Sequence, residues 1–146
     1  MVAIGYGDYT VLDCPDPLVL ARFYRALLGG DISREDEGYG EWVELRVPRG
    51  NDLAFQRATN LVVPTWPEPG IPQQIHLDVF VEDIEAAERE VLAAGATRTG
   101  LPHPAPGYAP RFRVYRDPAG HPFCLCWRLP EGTSGISAPG WLGQLE

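Results

Sequence analysis

The chain repeats itself. Tyr9 and Asp16 recur 67 positions later as His76 and Asp83, and Val47-Pro48-Arg49-Gly50 recurs 70 positions later as Asp117-Pro118-Ala119-Gly120. The small difference between the two offsets fits loops of unequal length. Duplication within 146 residues is a strong constraint on fold. Each half alone has too small a sheet to bury its apolar face, so the two must share a structure.

Each half reads β-α-β-β-β. Residues 9–14, rich in β-branched and aromatic side chains, predict a strand. Asp16 and Pro17 open a helix as N-cap and first helical residue. Leu20, Phe23, Tyr24, Leu27 and Leu28 follow at helical spacing, and Gly29-Gly30 stops it. A short strand at 31–34 and strands at 42–47 and 52–57 complete the half. Alternation puts Trp42, Glu44 and Arg46 on one face and Val43, Leu45 and Val47 on the other.

A proline-rich connector, 59–73, leads to the second half. A strand at 74–81 precedes a helix opened by Glu82-Asp83, with Ile84, Ala87, Val91 and Leu92 on one face and Gly95 at its end. A short strand at 97–100, a proline-rich loop at 102–110 and strands at 111–116 and 121–127 follow. The expected fold is α+β: two βαβββ modules, about 8–58 and 74–128, forming a curved, open-barrel mixed sheet with the helices outside. Residues 1–128 make a single domain, and the tail at 129–146 is irregular, with Trp141 and Leu142 able to dock.

Composition narrows the chemistry. All 12 basic residues are arginine, and no lysine is present. Schiff-base chemistry, amine nucleophiles and lysine-dependent phosphate loops are therefore excluded. The net charge of −8 disfavours nucleic acid and anionic membranes as partners. No apolar run approaches the roughly 18 residues that span a bilayer. The N-terminus has no signal-peptide pattern, so a cytoplasmic location is expected. Three cysteines do not make a disulfide framework. No serine elbow, zincin helix, calcium loop or dinucleotide-binding glycine motif occurs.

Asp13-Cys14-Pro15-Asp16-Pro17 running into Ala21-Arg22-Phe23-Tyr24, His76-Leu77-Asp78-Val79 before Asp83-Ile84-Glu85, and Arg116-Asp117-Pro118-Ala119-Gly120-His121-Pro122-Phe123 carry a family likeness. In these motifs the chain resembles the vicinal oxygen chelate superfamily, which includes glyoxalases, bleomycin-resistance proteins and dioxygenases. The likeness covers roughly 8–128 and is greatest to the glyoxalase-like domain proteins common in actinobacteria. It implies a ligand cup, usually holding a divalent metal bound from the first and last strands of each module. The matching positions are Tyr9, His76, Cys124 and Ala54, with Gln56 two residues beyond Ala54 on the same face. The usual ligand set is thus incomplete. No cofactor is assigned, and His76, Gln56 and Cys124 are the metal candidates.

His76, Asp78 and Phe80 share a strand face by parity. His76 can serve as acid or base in the cup. Cys124 and Cys126 point the same way but are poorly spaced for a disulfide. Trp66, between Pro64 and Pro67, suits a wall or lid for a ligand, or equally a hydrophobic plug. Arg46, Arg57, Arg111 and Arg113 could clamp an anion. His121 is expected to make turn hydrogen bonds, and His103 to be exposed.

The expected protein binds a mostly apolar or aromatic small molecule through Tyr9, Gln56, Trp66, His76, Asp78 and Cys124. Whether it is an enzyme stays open. The first alternative is metal-free isomerase or lyase chemistry with His76 as the catalytic acid–base. A second is a divalent-metal-dependent lyase or dioxygenase, and a third is a drug-sequestering resistance protein. A homodimer is expected.

Overall fold

The computed structural model describes residues 4, 5, 7–33, 40–99 and 111–128. The loop at 102–110 with His103, the tail at 129–146, and the last residue of each short strand expected at 31–34 and 97–100 lie outside the described residues.

The first module consists of β1 (Tyr9–Cys14), α1 (Pro17–Leu28), β2 (Asp31–Ser33), β3 (Trp42–Arg46) and β4 (Asp52–Arg57). The second repeats the order with β5 (Leu77–Phe80), α2 (Ile84–Ala93), β6 (Thr97–Arg98), β7 (Phe112–Arg116) and β8 (Pro122–Cys126). Each module forms its own four-stranded mixed sheet, ordered β1-β4-β3-β2 and β5-β8-β7-β6. The first strand of each runs parallel to the last, and the other pairs are antiparallel. The two sheets do not close into one barrel.

Local chemistry explains the boundaries. The Asp16 carboxylate accepts from the Leu18 and Val19 N–H groups at 3.1 Å, satisfying orphan donors at the start of α1. Asp83 does the same for Ala86 at the start of α2. Gly30, at φ +95°, follows α1 where a Cβ would sit 2.0 Å from the Arg46 carbonyl oxygen, so only glycine fits.

Strand parity sets the faces. Leu12, Cys14, Val43, Leu45, Leu53 and Phe55 point at α1 and bury against Leu20, Ala21, Phe23 and Tyr24. Burying each large apolar side chain contributes about 1.5–3 kcal/mol. The second module is held differently. Val91 is the one buried residue of α2. On its sheet-facing side Glu88 accepts from Tyr115 Oη at 2.8 Å and pairs with Arg113 and with Arg98, while Glu85 pairs with Arg113. Polar clamps thus supplement a thin apolar contact.

The modules lock through α1. Phe23 packs edge-to-face on Phe123 of β8, with ring centroids 5.6 Å apart. The Tyr24 hydroxyl donates to Asp117 in the β7–β8 turn. His121 Nε2 meets the Asp13 carbonyl across the same junction.

Candidate functional site

The concave face of the second sheet carries His76, Asp78 and Cys124. One ligand atom of each lies within 4.8 Å of those of the others. His76 Nε2 is 3.3 Å from Asp78 Oδ1. Cys124 sits opposite Asp78 in the β5–β8 register, on an inner strand, and is buried. The Asp78 side chain is 65 % exposed and that of His76 26 %, so the carboxylate marks the mouth and the thiol the floor.

Burial raises the Cys124 thiol well above the ordinary cysteine range, and the Asp78 charge and hydrogen bond add to this. Burial and Asp78 likewise push Cys126 to about 12. Both are therefore neutral thiols at neutral pH, poor nucleophiles without a further activating group.

The connector roofs this face. Trp66 stacks on the His76 imidazole, centroids 5.3 Å apart and planes 21° from parallel. The Thr65 carbonyl accepts from Arg116 Nη2 at 2.9 Å. Val63 rests on the β7–β8 turn at Gly120, where a Cβ would come within 2.6 Å of its methyl. Thr65 also ties the strap to itself, its hydroxyl accepting from the Ile71 N–H at 2.8 Å.

The other expected site residues, Tyr9 and Gln56, have their own partners. Tyr9 belongs to a polar network on the concave face of the first sheet. Its hydroxyl donates to Glu44 Oε2 at 2.8 Å and accepts from Arg46 at 2.6 Å. Trp42 Nε1 donates to Glu44 Oε1 at 3.1 Å. The Glu44 hydrogen bond, with burial behind it, raises the Tyr9 phenol to about 12. Gln56 lines a hollow of about 400 Å³ with Val11, Asp13, Gln74, Ile75 and His121. So the structure joins Trp66, His76, Asp78 and Cys124, while Tyr9 is bonded to Glu44 and Arg46, and Gln56 shares a hollow with Ile75 and His121.

Three of the four arginines considered as anion clamps have partners. Arg46 pairs with Asp52 and Glu44, Arg57 with Glu41, and Arg113 with Glu85 and Glu88. Glu44 was legible only as one member of an alternating face. A glutamate 3 % exposed in mid-strand has no signature in spacing alone.

The donor set fits a divalent metal in part. Imidazole nitrogen, carboxylate and thiolate are all zinc-type ligands. The 3.3 Å between His76 Nε2 and Asp78 Oδ1 is close to the ligand–ligand edge of a tetrahedron with bonds of about 2.0–2.1 Å. Cys124 would have to lose its proton to join them.

A family profile described as a glyoxalase-like domain matches residues 9–126. The chain belongs to the glyoxalase-like domain family. A search of curated proteins returned no match. Solved structures share the fold. A glyoxalase/bleomycin resistance protein/dioxygenase family enzyme from Burkholderia phytofirmans PsJN aligns with a TM-score of 0.61 at 17 % identity, covering 84 % of this chain and 98 % of that one. The fosfomycin resistance protein FosX from Mesorhizobium loti gives 0.60 at 13 %, covering 86 % and 92 %. A glyoxalase-related enzyme from Fulvimarina pelagi gives 0.58 at 22 %, covering 91 % and 96 %. At these identities the likeness speaks for the vicinal oxygen chelate fold alone. Among the described residues, no helix is long and apolar enough to cross a membrane.

Proposed function

We propose that this glyoxalase-like protein binds a small aromatic molecule in the cup of its second module, with His76 as an acid–base group. The observation that carries the reading is the pairing of His76 Nε2 with Asp78 beneath the Trp66 ring. A carboxylate on one ring nitrogen fixes the tautomer and orientation of the imidazole. Nδ1 is then left to take or give a ligand proton. This is the arrangement needed for isomerase- or lyase-type proton transfer. Trp66 supplies an aromatic wall.

The test labels tryptophan and histidine side chains and follows their resonances during titration with a panel of small aromatic compounds. Shifts at Trp66 and His76, weakened in Trp66→Ala, are expected. Shifts confined to Trp42, the tryptophan of the first-module network with Glu44, would sink the proposal. For a compound that is turned over, His76→Gln should slow conversion roughly 10²–10⁴-fold. A bound compound recovered unchanged would favour a sequestering protein.

The His76, Asp78 and Cys124 set favours a second reading, a divalent-metal lyase or dioxygenase. Those three residues would hold the ion, which would polarise a substrate oxygen when bound. Activity lost to a chelator and restored by one divalent ion would support it. All three cysteines are free, which suits a reducing cytoplasm. Val11 and Phe80, exposed on the edge strands β1 and β5, are our candidates for a homodimer contact. Sedimentation of a Val11→Glu/Phe80→Glu variant tests it.

A further inference from the structure

Arg116 lies on the concave face of β7, paired in register with Pro122 of β8. Leu77 of β5 pairs with Phe123, so His76, one residue earlier, shares a row with Pro122 and Arg116. Strands two apart in a sheet are about 9–10 Å apart, so the imidazole and the guanidinium flank Pro122 at a spacing that a substituted aromatic ring can span. The strap crosses both ends of that row. Trp66 covers His76, and the carbonyl of its neighbour Thr65 caps Arg116.

The guanidinium is under-partnered. Arg116 Nε is buried and makes no hydrogen bond. None of the ion pairs among the described residues includes Arg116, whereas Arg46, Arg57, Arg98 and Arg113 each have a carboxylate. A half-buried charge without a counter-ion costs stability until one is supplied. Nε and Nη2 are the two donors of one edge of the fork, the edge that grips a carboxylate bidentately. Here one donor is empty and the other holds a neutral carbonyl. That carbonyl also accepts from the Glu68 N–H at 3.0 Å, so it keeps a partner when Arg116 lets go. Gln73 Oε1, in the same strap, is a second buried polar atom without a partner.

We propose that Arg116 anchors the carboxylate of an aromatic acid, which replaces the Thr65 carbonyl on the Nε/Nη2 edge while the ring lies along the row toward His76. This rests on the ligand-binding reading above and specifies its substrate class. The orientation follows from charge. Asp78 beside His76 repels an anion, so the acid end goes to Arg116.

The test titrates labelled protein with benzoate and phenylacetate and with the matching amides, reading the Trp66 and His76 resonances. The acids should bind roughly tenfold to hundredfold more tightly than the amides, the increment of a charge-assisted fork. Arg116→Gln should bring the acids down to the affinity of the amides. Arg116→Lys should restore only part, because an ammonium cannot fork. Thermal melts without ligand supply a second readout. If Arg116 is an anchor, Arg116→Gln and Arg116→Met leave the midpoint unchanged or raise it. A lowered midpoint with the acid preference intact would make Arg116 a tie for the strap and overturn the proposal. Equal binding of acids and amides at Trp66 and His76 would overturn the anchor and leave the ligand reading standing. No shift with any compound would overturn both.

Discussion

The Tyr24 hydroxyl donates to Asp117 Oδ2 at 2.8 Å, joining the helix of the first module to the hairpin turn of the second across 93 positions of sequence. Asp117 also accepts from the Ala119 and His121 N–H groups, at 2.8 and 3.0 Å. Burial nevertheless raises the Asp117 carboxyl above the usual aspartate value, outweighing the His121 charge and these hydrogen bonds. The native state therefore binds this proton more tightly than the unfolded chain does. The contribution is fully present below the unfolded value near 3.9 and is lost as pH rises through the native value. Tyr24→Phe should cost about 1–3 kcal/mol. It should also push the Asp117 value higher and move that loss to higher pH. Asp117→Asn should flatten this part of the profile. Urea unfolding across mildly acid pH measures all three.

The α2 clamp titrates in the opposite sense. The Arg113 hydrogen bond, then its charge, lowers Glu85. Burial would raise Glu88, but hydrogen bonds from Tyr115 and Arg113 and the charges of Arg113 and Arg98 win and lower it. Stability from these carboxylates is present above their unfolded value near 4.3 and is lost as pH falls through the native values. Arg113→Met should weaken that acid-side loss and lower the melting temperature at neutral pH. Both show in melts taken between acid and neutral pH.

The Tyr9 phenol, held up at about 12 mainly by its bond to Glu44, should fall toward 10 in Glu44→Gln. Ring-carbon labelling of the tyrosines with an alkaline NMR titration resolves Tyr9 from the others. An unchanged value would mean that burial, not the carboxylate, sets it.

Cys124 and Cys126 should react slowly with iodoacetamide at neutral pH, because burial and Asp78 keep both protonated. Asp78→Asn should speed both modestly, since burial is the larger cause. Timed alkylation with peptide mass mapping gives the two rates separately.

Much of the fold was legible because duplication, capping and parity act locally. Asp16-Pro17 and Asp83 cap helices as their chemistry demands, and β1 and β4 have the expected bounds. The second-module strands are shorter than expected, since His76 and His121 each fall just outside a strand. How the two four-stranded sheets meet depends on long-range packing through Phe23 and Tyr24 that periodicity does not encode. The site was half legible. His76 and Cys124 were singled out by the family resemblance, and Asp78 by parity. Arg116 did not stand out among 12 arginines, because what distinguishes it is a missing partner, and only the structure shows that.

The roof over the second cup is also the cord that ties the modules together. It leaves β4 at Arg57 and re-enters at Leu77, so both its ends are pinned in different sheets. A flap with a free tip can swing through any arc; a cord pinned twice can only bow outward by the slack it contains. In the ligand-binding reading proposed above, the bulk of molecule admitted would follow from how many residues separate the two sheets. Lengthening or trimming this stretch by one or two residues would retune the size limit while leaving every floor residue unaltered.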